Sequence, residues 1–225
     1  MTEDQPEAYF ENFCAHLGLD WEIVPTASDA GQKRPDYLLT GLDRTQFYVE
    51  LKTITPNQDE AKHLELLYGG ATGLSVTVEP GARLRDLIGK ANPQLKAFAD
   101  RKRPGVLVVL NLEPALGHHT EPYAVLTAMR GLDVVPVRVP RDPRESPEFL
   151  DVRSGPKKRM TPEANTTISA ILVLRQVYEL GWVAEVYHNR FGSRPLPVSS
   201  IAGSGVRHWQ VRSDERDWEP LPSAV

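Results

Sequence analysis

Two neighbouring segments decide how this sequence folds: residues 33–40 read KRPDYLLT, and residues 47–53 read FYVELKT. The second segment alternates as a half-buried strand does, and one of its faces carries Phe47, Val49 and Leu51. Residues 41–45, GLDRT, supply the glycine and aspartate of a short hairpin loop. The sequence therefore predicts two strands of one hairpin, with the first strand beginning near Asp36.

The other face of this hairpin gathers charged side chains. Glu50 and Lys52 are two residues apart on one strand, so they project together, about 7 Å apart. Asp36, at the start of the paired strand, can reach the same patch. Two converging carboxylates repel each other unless a cation lies between them, and such oxygen ligands suit Mg²⁺. A lysine beside the cation can position or deprotonate water, or stabilise charge on a phosphate. The plainer alternative is a solvated strand face with a weak ion pair.

The pattern Pro35-Asp36 followed by Glu50-Leu51-Lys52 resembles the PD-(D/E)XK nuclease superfamily. The resemblance implies a restriction-endonuclease-like α/β fold, in which a three-layer core holds a central mixed β-sheet flanked by helices. We expect extra C-terminal strands to extend that sheet. The resemblance further implies Asp36, Glu50 and the Leu51 carbonyl as metal ligands and Lys52 as the catalytic lysine. We expect the metal to be Mg²⁺, with Mn²⁺ as a substitute.

The first predicted helix, residues 6–18, adds one candidate. Phe10, Cys14 and Leu17 form its core stripe. The resemblance implies a catalytic role for Glu11, which lies beside that stripe, with Glu7 as a weaker competitor. The sequence equally allows Glu11 to be an ordinary solvent-exposed residue of the helix.

The clearest helix, residues 81–100, adds two more candidates. Pro93 should kink this helix or split it in two. Superfamily members often direct a lysine or glutamine from the corresponding helix toward the active site. The resemblance therefore implies Gln94 as a further catalytic candidate and Lys90 as a candidate contact for nucleic acid. A solvated flank of the helix is the alternative for each.

Further strands and helices follow from apolar runs. Residues 106–111 are apolar almost throughout, which indicates a central strand buried on both faces and parallel to a hairpin strand. The pattern also predicts shorter strands at 21–25, 168–174 and 182–189, helices at 53–68 and 121–129, and a loop-dominated region at 132–162.

Two polar motifs lie outside the nuclease pattern. The segment 153–159 reads RSGPKKR, and its basic residues are candidates for phosphate-backbone contact: Arg153, Lys157, Lys158 and Arg159. A solvated loop is the alternative. His118 and His119 are expected in a surface loop, because adjacent residues do not share one face of a helix or strand.

Composition limits the class of protein. The 225 residues are 40% hydrophobic and 25% charged, which suits one domain. We expect a core at about 6–112, an insertion at about 54–80 and a C-terminal elaboration at about 113–225. A net charge of −4 argues against nonspecific coating of nucleic acid but allows a local basic groove. The single cysteine and the absence of an apolar leader or membrane-length run predict a cytoplasmic protein that does not enter membranes.

These observations predict a metal-dependent nuclease that hydrolyses phosphodiester bonds of nucleic acid, with DNA favoured over RNA. A homodimer would allow cleavage of both strands of a duplex. The alternative is a catalytically inactive module on the same fold that binds nucleic acid or another protein, and the low positive charge slightly favours it.

Overall fold

An eight-stranded mixed sheet forms the centre of the protein. The computed structural model describes residues 5–25, 33–70, 77–98, 102–142, 144–151, 153–177, 181–212 and 217–222. The sheet is built from β1 (Asp20–Ile23), β2 (Tyr37–Thr40), β3 (Gln46–Thr53), β4 (Gly105–Asn111), β9 (Ile168–Val177), β10 (Gly181–His188), β11 (Val206–Val211) and β12 (Trp218–Leu221), in that spatial order. Four two-residue strands form two small separate ladders: β5 (Asp133–Val134), β6 (Val137–Arg138), β7 (Glu148–Phe149) and β8 (Arg153–Ser154).

The predicted hairpin and central strand are both confirmed. β2 and β3 pair antiparallel, with Tyr37 opposite Val49. β4 is buried at every position and pairs parallel to β3 on one side and to β9 on the other. β9 to β12 continue the sheet beyond β4, so extra C-terminal strands do extend it.

Helices cover both faces of the sheet. The helices are α1 (Gln5–Leu17), α2 (Gln58–Tyr68), α3 (Ala82–Ala97) and α4 (Pro122–Arg130), with short 3₁₀ helices η1 (Pro114–His119) and η2 (Val198–Ile201). Phe10 and Cys14 of α1 pack on the face that carries Phe47, Val49 and Leu51. The opposite face, which carries Tyr48, packs against α3 and α4. None of the helices in the described ranges is long and apolar enough to cross a membrane.

Pro93 does not split α3, so of the two expected outcomes, a kink or a break, the break does not occur. It lies inside one continuous helix of 16 residues. The buried residues Leu84, Ile88, Ala91 and Leu95 fall on both sides of Pro93 and pack into one core cluster. This shared burial holds the two halves in line, although the proline removes one helical hydrogen bond.

The aromatic residues of the C-terminal segment belong to the sheet. The sequence left residues 207–225 without a role, because alternating charges obscure the strand pattern there. Trp209 lies in β11 and Trp218 in β12, and both pack against the core cluster on the α3 side. Trp218 Nε1 donates to the carbonyl of Pro122, at the start of α4, over 2.8 Å.

Helix α2 begins with a capping box, and this contact yields a first prediction. The Asn57 side chain accepts hydrogen bonds from the N–H groups of Asp59 and Glu60, and Glu60 Oε2 accepts from Asn57 N. Asn57→Ala should therefore lower the free energy of unfolding by about 1 kcal/mol and increase amide exchange in the first turn of α2. Gln58→Ala, an exposed change one residue along, serves as the control. Equal effects of the two substitutions would contradict a role for the cap.

Candidate active site

The hairpin brings Asp36 beside the middle of β3. Asp36 lies directly before β2, and its N–H donates to the carbonyl of Val49 over 2.9 Å. Its side chain reaches across to the neighbouring strand, where Oδ2 accepts the N–H of Leu51 over 2.7 Å. Asp36 therefore lies against the main chain that links Glu50 to Lys52.

Glu50 occupies an unusual environment for a carboxylate. It is 0% exposed, and it shares the face of β3 that packs against α3. Among the described residues, neither of its oxygens finds a hydrogen-bond partner of regular geometry. Lys52 Nζ forms an ion pair with Glu50 Oε1, and the Lys52 side chain remains 25% exposed. A buried carboxylate with so few partners is costly in free energy.

The surroundings of Glu50 and Asp36 disfavour the charged form of both carboxyl groups. Burial raises the pKa of Glu50 to about 7, and the charge of Asp36 adds to this increase, while Lys52 and Gln94 oppose it. Burial also raises the pKa of Asp36, against the lowering effects of the Leu51 N–H and of Lys52. A cation between the two groups would relieve both effects.

Gln94 approaches this site from α3. Its side chain lowers the pKa of the Glu50 carboxyl group, although it makes no hydrogen bond of regular geometry to either carboxylate oxygen. The structure thus brings together four of the residues singled out in the sequence: Asp36, Glu50, Lys52 and Gln94.

Glu11 is placed elsewhere. Its Oε1 accepts a hydrogen bond from the Tyr37 hydroxyl over 3.2 Å, and Tyr37 belongs to the sheet face covered by α1. Glu50 projects from the opposite face, so the structure does not bring Glu11 to it. The α1 carboxylate whose charge acts on Asp36 is Glu7, one turn earlier, which helps to raise the pKa of Asp36.

The basic candidates for nucleic-acid contact do not form one free cluster. Lys157 Nζ lies 2.8 and 2.9 Å from the two oxygens of Glu79. Lys90 pairs with Asp86 one turn away on the exposed side of α3, over 2.7 Å. Lys158 and Arg159 are exposed, and the side chain of Arg153 lies outside the described part of the molecule.

The expectation of a surface loop for His118 and His119 is wrong. They end the 3₁₀ helix η1, and His119 is only 3% exposed. His119 Nε2 lies 2.7 Å from Oε1 of Glu60 in α2, and burial lowers the pKa of His119 although Glu60 opposes this. The two adjacent rings lie with their centroids 4.0 Å apart, because a 3₁₀ turn does not impose the alternation of a strand. Local spacing could not reveal this cluster, since Glu60 is far away in sequence.

Comparison with known proteins gives one partial similarity. The polyketide synthase GfsB of Streptomyces halstedii is 29% identical to this chain over 160 residues. The match covers 68% of the chain but 3% of the synthase. No family model matches the sequence, and no solved structure matches the fold.

Proposed function

We propose that the protein is a Mg²⁺-dependent nuclease that hydrolyses phosphodiester bonds, with DNA as the favoured substrate. The observation that carries this proposal is the buried, poorly hydrogen-bonded Glu50, which lies with Asp36, Lys52 and Gln94 on one side of the hairpin. Such an arrangement destabilises the protein unless a bound ligand offsets its cost. Two carboxylates are suited to bind a hard cation.

The donor set fits Mg²⁺. Asp36 and Glu50 would hold the ion through carboxylate oxygens, and the Leu51 carbonyl is the proposed third protein ligand. Mg²⁺ usually takes one or two carboxylates and keeps several waters, so few protein ligands are needed. When bound, the ion would neutralise charge on the phosphate and make water more acidic. Mn²⁺ accepts the same ligands and should substitute for it.

The chain's own residues supply the remaining chemistry. Lys52 is partly exposed while its ammonium touches Glu50, so it can reach both the site and an incoming phosphate. From there it can orient the attacking water and stabilise the negative charge that develops on the phosphate oxygens. Gln94 approaches Glu50 from α3, and we assign it the role of a positioning residue for this carboxylate.

The order of elements supports a restriction-endonuclease-like core for this site. A helix precedes the hairpin, and the two carboxylates lie directly before β2 and in β3. Two helices, α2 and α3, then lead to β4, which is parallel to β3. In this assignment β9 to β12 are the C-terminal extension of the core sheet.

A second candidate function is a catalytically inactive module that binds nucleic acid or protein on the same fold. The ion pair between Lys52 and Glu50 favours it, because an ammonium in contact with the carboxylate offsets part of the buried charge without a metal. Metal binding separates the two candidates.

Calorimetric titration with Mg²⁺ is the decisive experiment. We expect one equivalent to bind the wild-type protein, and Asp36→Asn to weaken binding at least about tenfold, because a neutral amide is a poorer ligand for a hard cation. The asparagine oxygen can still accept the Leu51 N–H, so the fold should be retained. Asp43→Asn is the matched control, since Asp43 binds Ser199 and Ser200 at the hairpin loop. Absence of binding in the wild type, with DNA present, would overturn the nuclease proposal and favour the inactive module.

A further inference from the structure

A second cluster of metal-ligating side chains lies between α2 and η1. Glu60, His118 and His119 each offer one ligand atom, and these atoms lie within 4.8 Å of one another. Tetrahedral zinc with bonds of 2.0–2.1 Å would place its ligand atoms about 3.3 Å apart, so side-chain adjustments of roughly 1 Å would complete such a site. A carboxylate with two imidazoles is a ligand set that suits zinc.

Hydrogen bonds already orient this cluster. Glu60 Oε2 is fixed by the Asn57 N–H over 2.7 Å and by Arg83, whose Nη2 is 3.5 Å away, which leaves Oε1 directed at His119. Asn111, the last residue of β4, is fully buried and donates to the Leu116 carbonyl and to Thr120 Oγ1, which anchors η1 on the sheet. Partners of this kind hold metal ligands in position.

Two buried imidazole nitrogens in and beside the cluster make no hydrogen bond within the described ranges. A hydrogen bond between a glutamate and a histidine is by itself an ordinary structural contact. Here, however, His118 Nε2 and His63 Nδ1 are both buried and have no hydrogen-bond partner within the described ranges. Glu60, His63 and His118 line the same cavity of about 200 Å³. His63 follows Glu60 by three residues on α2, so both project from one side of that helix.

We propose that Glu60, His118 and His119 bind a zinc-type transition metal, with a fourth coordination position open to the cavity beside His63. The ion would join α2 to η1 across a long separation in sequence. This site is chemically distinct from the Asp36/Glu50 site, because imidazole nitrogens favour zinc-type ions and carboxylate oxygens alone favour Mg²⁺. The two sites should therefore bind independently of each other.

Zinc titration in competition with a chromophoric chelator tests the proposal. We expect the wild-type protein to bind one equivalent of Zn²⁺, and His118→Ala and Glu60→Gln each to weaken binding by more than about 100-fold, since even outer-shell changes reach that value. His16→Ala, an exposed histidine of α1, and Asp36→Asn should bind zinc as the wild type does. Excess Mg²⁺ should not displace the zinc.

Two readouts keep the outcome clear. Zinc should raise the midpoint of thermal unfolding of the wild type but not of His118→Ala. Glu60→Gln preserves an acceptor for the Asn57 N–H, so it decides the question if His118→Ala proves unstable. A folded wild type that binds no zinc, or equal zinc affinity in the wild type and Glu60→Gln, would overturn the site and leave only a structural Glu60–His119 contact.

Discussion

Lys52→Met is expected to reduce the proposed Mg²⁺-dependent cleavage of DNA by about 10²- to 10⁴-fold, the range for loss of a proton-transfer group or an electrostatic donor. The methionine retains the aliphatic part of the side chain and removes the ammonium. In the wild type that ammonium touches Glu50. In the variant, the negative charge of Glu50 loses its nearest positive partner. Mg²⁺ affinity should therefore stay at the wild-type value or increase, because the lysine no longer competes with the metal for Glu50.

The combination of lost turnover and retained binding separates catalysis from structure. Initial rates on single-stranded DNA, duplex DNA and RNA would be measured beside calorimetric Mg²⁺ titrations. Lys62→Met, which removes an exposed lysine of α2, is the matched control and should leave both quantities unchanged. If Lys52→Met instead loses Mg²⁺ affinity and stability together, Lys52 is a structural counter-ion and the catalytic role fails.

The proximity of the main residues of the candidate site could be predicted from the sequence because these residues are local. Glu50 and Lys52 lie on β3 and Asp36 directly precedes β2; the two strands are joined by a five-residue loop, and their antiparallel pairing fixes the register. The period of two then determines that Glu50 and Lys52 share a face. The run at 106–110 is also a local signal, since a short, continuous and mostly β-branched apolar run is typical of a strand buried on both faces.

The prediction for Glu11 was less secure because it depends on which face of the sheet a helix covers. Phe10 and Cys14 pack on the face that carries Tyr37 and Val49. Once α1 lies there, the alternation of β3 directs Glu50 away from it. The periodicity of α1 shows that it has a buried stripe but not which of two apolar faces that stripe will meet.

The cluster of Glu60, His118 and His119 required tertiary structure. Its residues come from a capped helix and a 3₁₀ turn that is anchored by the buried Asn111. Adjacent histidines give no periodic pattern. Glu60 and His119 are 59 positions apart, so no short-range sequence pattern links them.

Glu50→Gln is expected to stabilise the metal-free protein at neutral pH. Burial raises the pKa of Glu50 to about 7, whereas its ordinary value is 4.5. Between these values the folded state binds more protons than the unfolded state, so stability falls as pH rises through this interval. The wild type should thus lose about 2 to 3 kcal/mol relative to Glu50→Gln between about pH 5 and pH 8.

Urea denaturation of both proteins at several pH values in the presence of a chelator would measure this difference directly. Other groups, including the buried histidines, titrate in both proteins, so their contributions largely cancel in the difference. Glu22→Gln, at an exposed position in β1, should show no pH-dependent difference from the wild type.

Saturating Mg²⁺ should restore the stability of the wild type at high pH, because the bound ion compensates the charge of the buried carboxylate. It should have little effect on the stability of Glu50→Gln. A difference that stays flat with pH would mean that Lys52 already compensates Glu50 in full. The buried carboxylate would then need no cation, and the main physical argument for a metal at this hairpin would be lost.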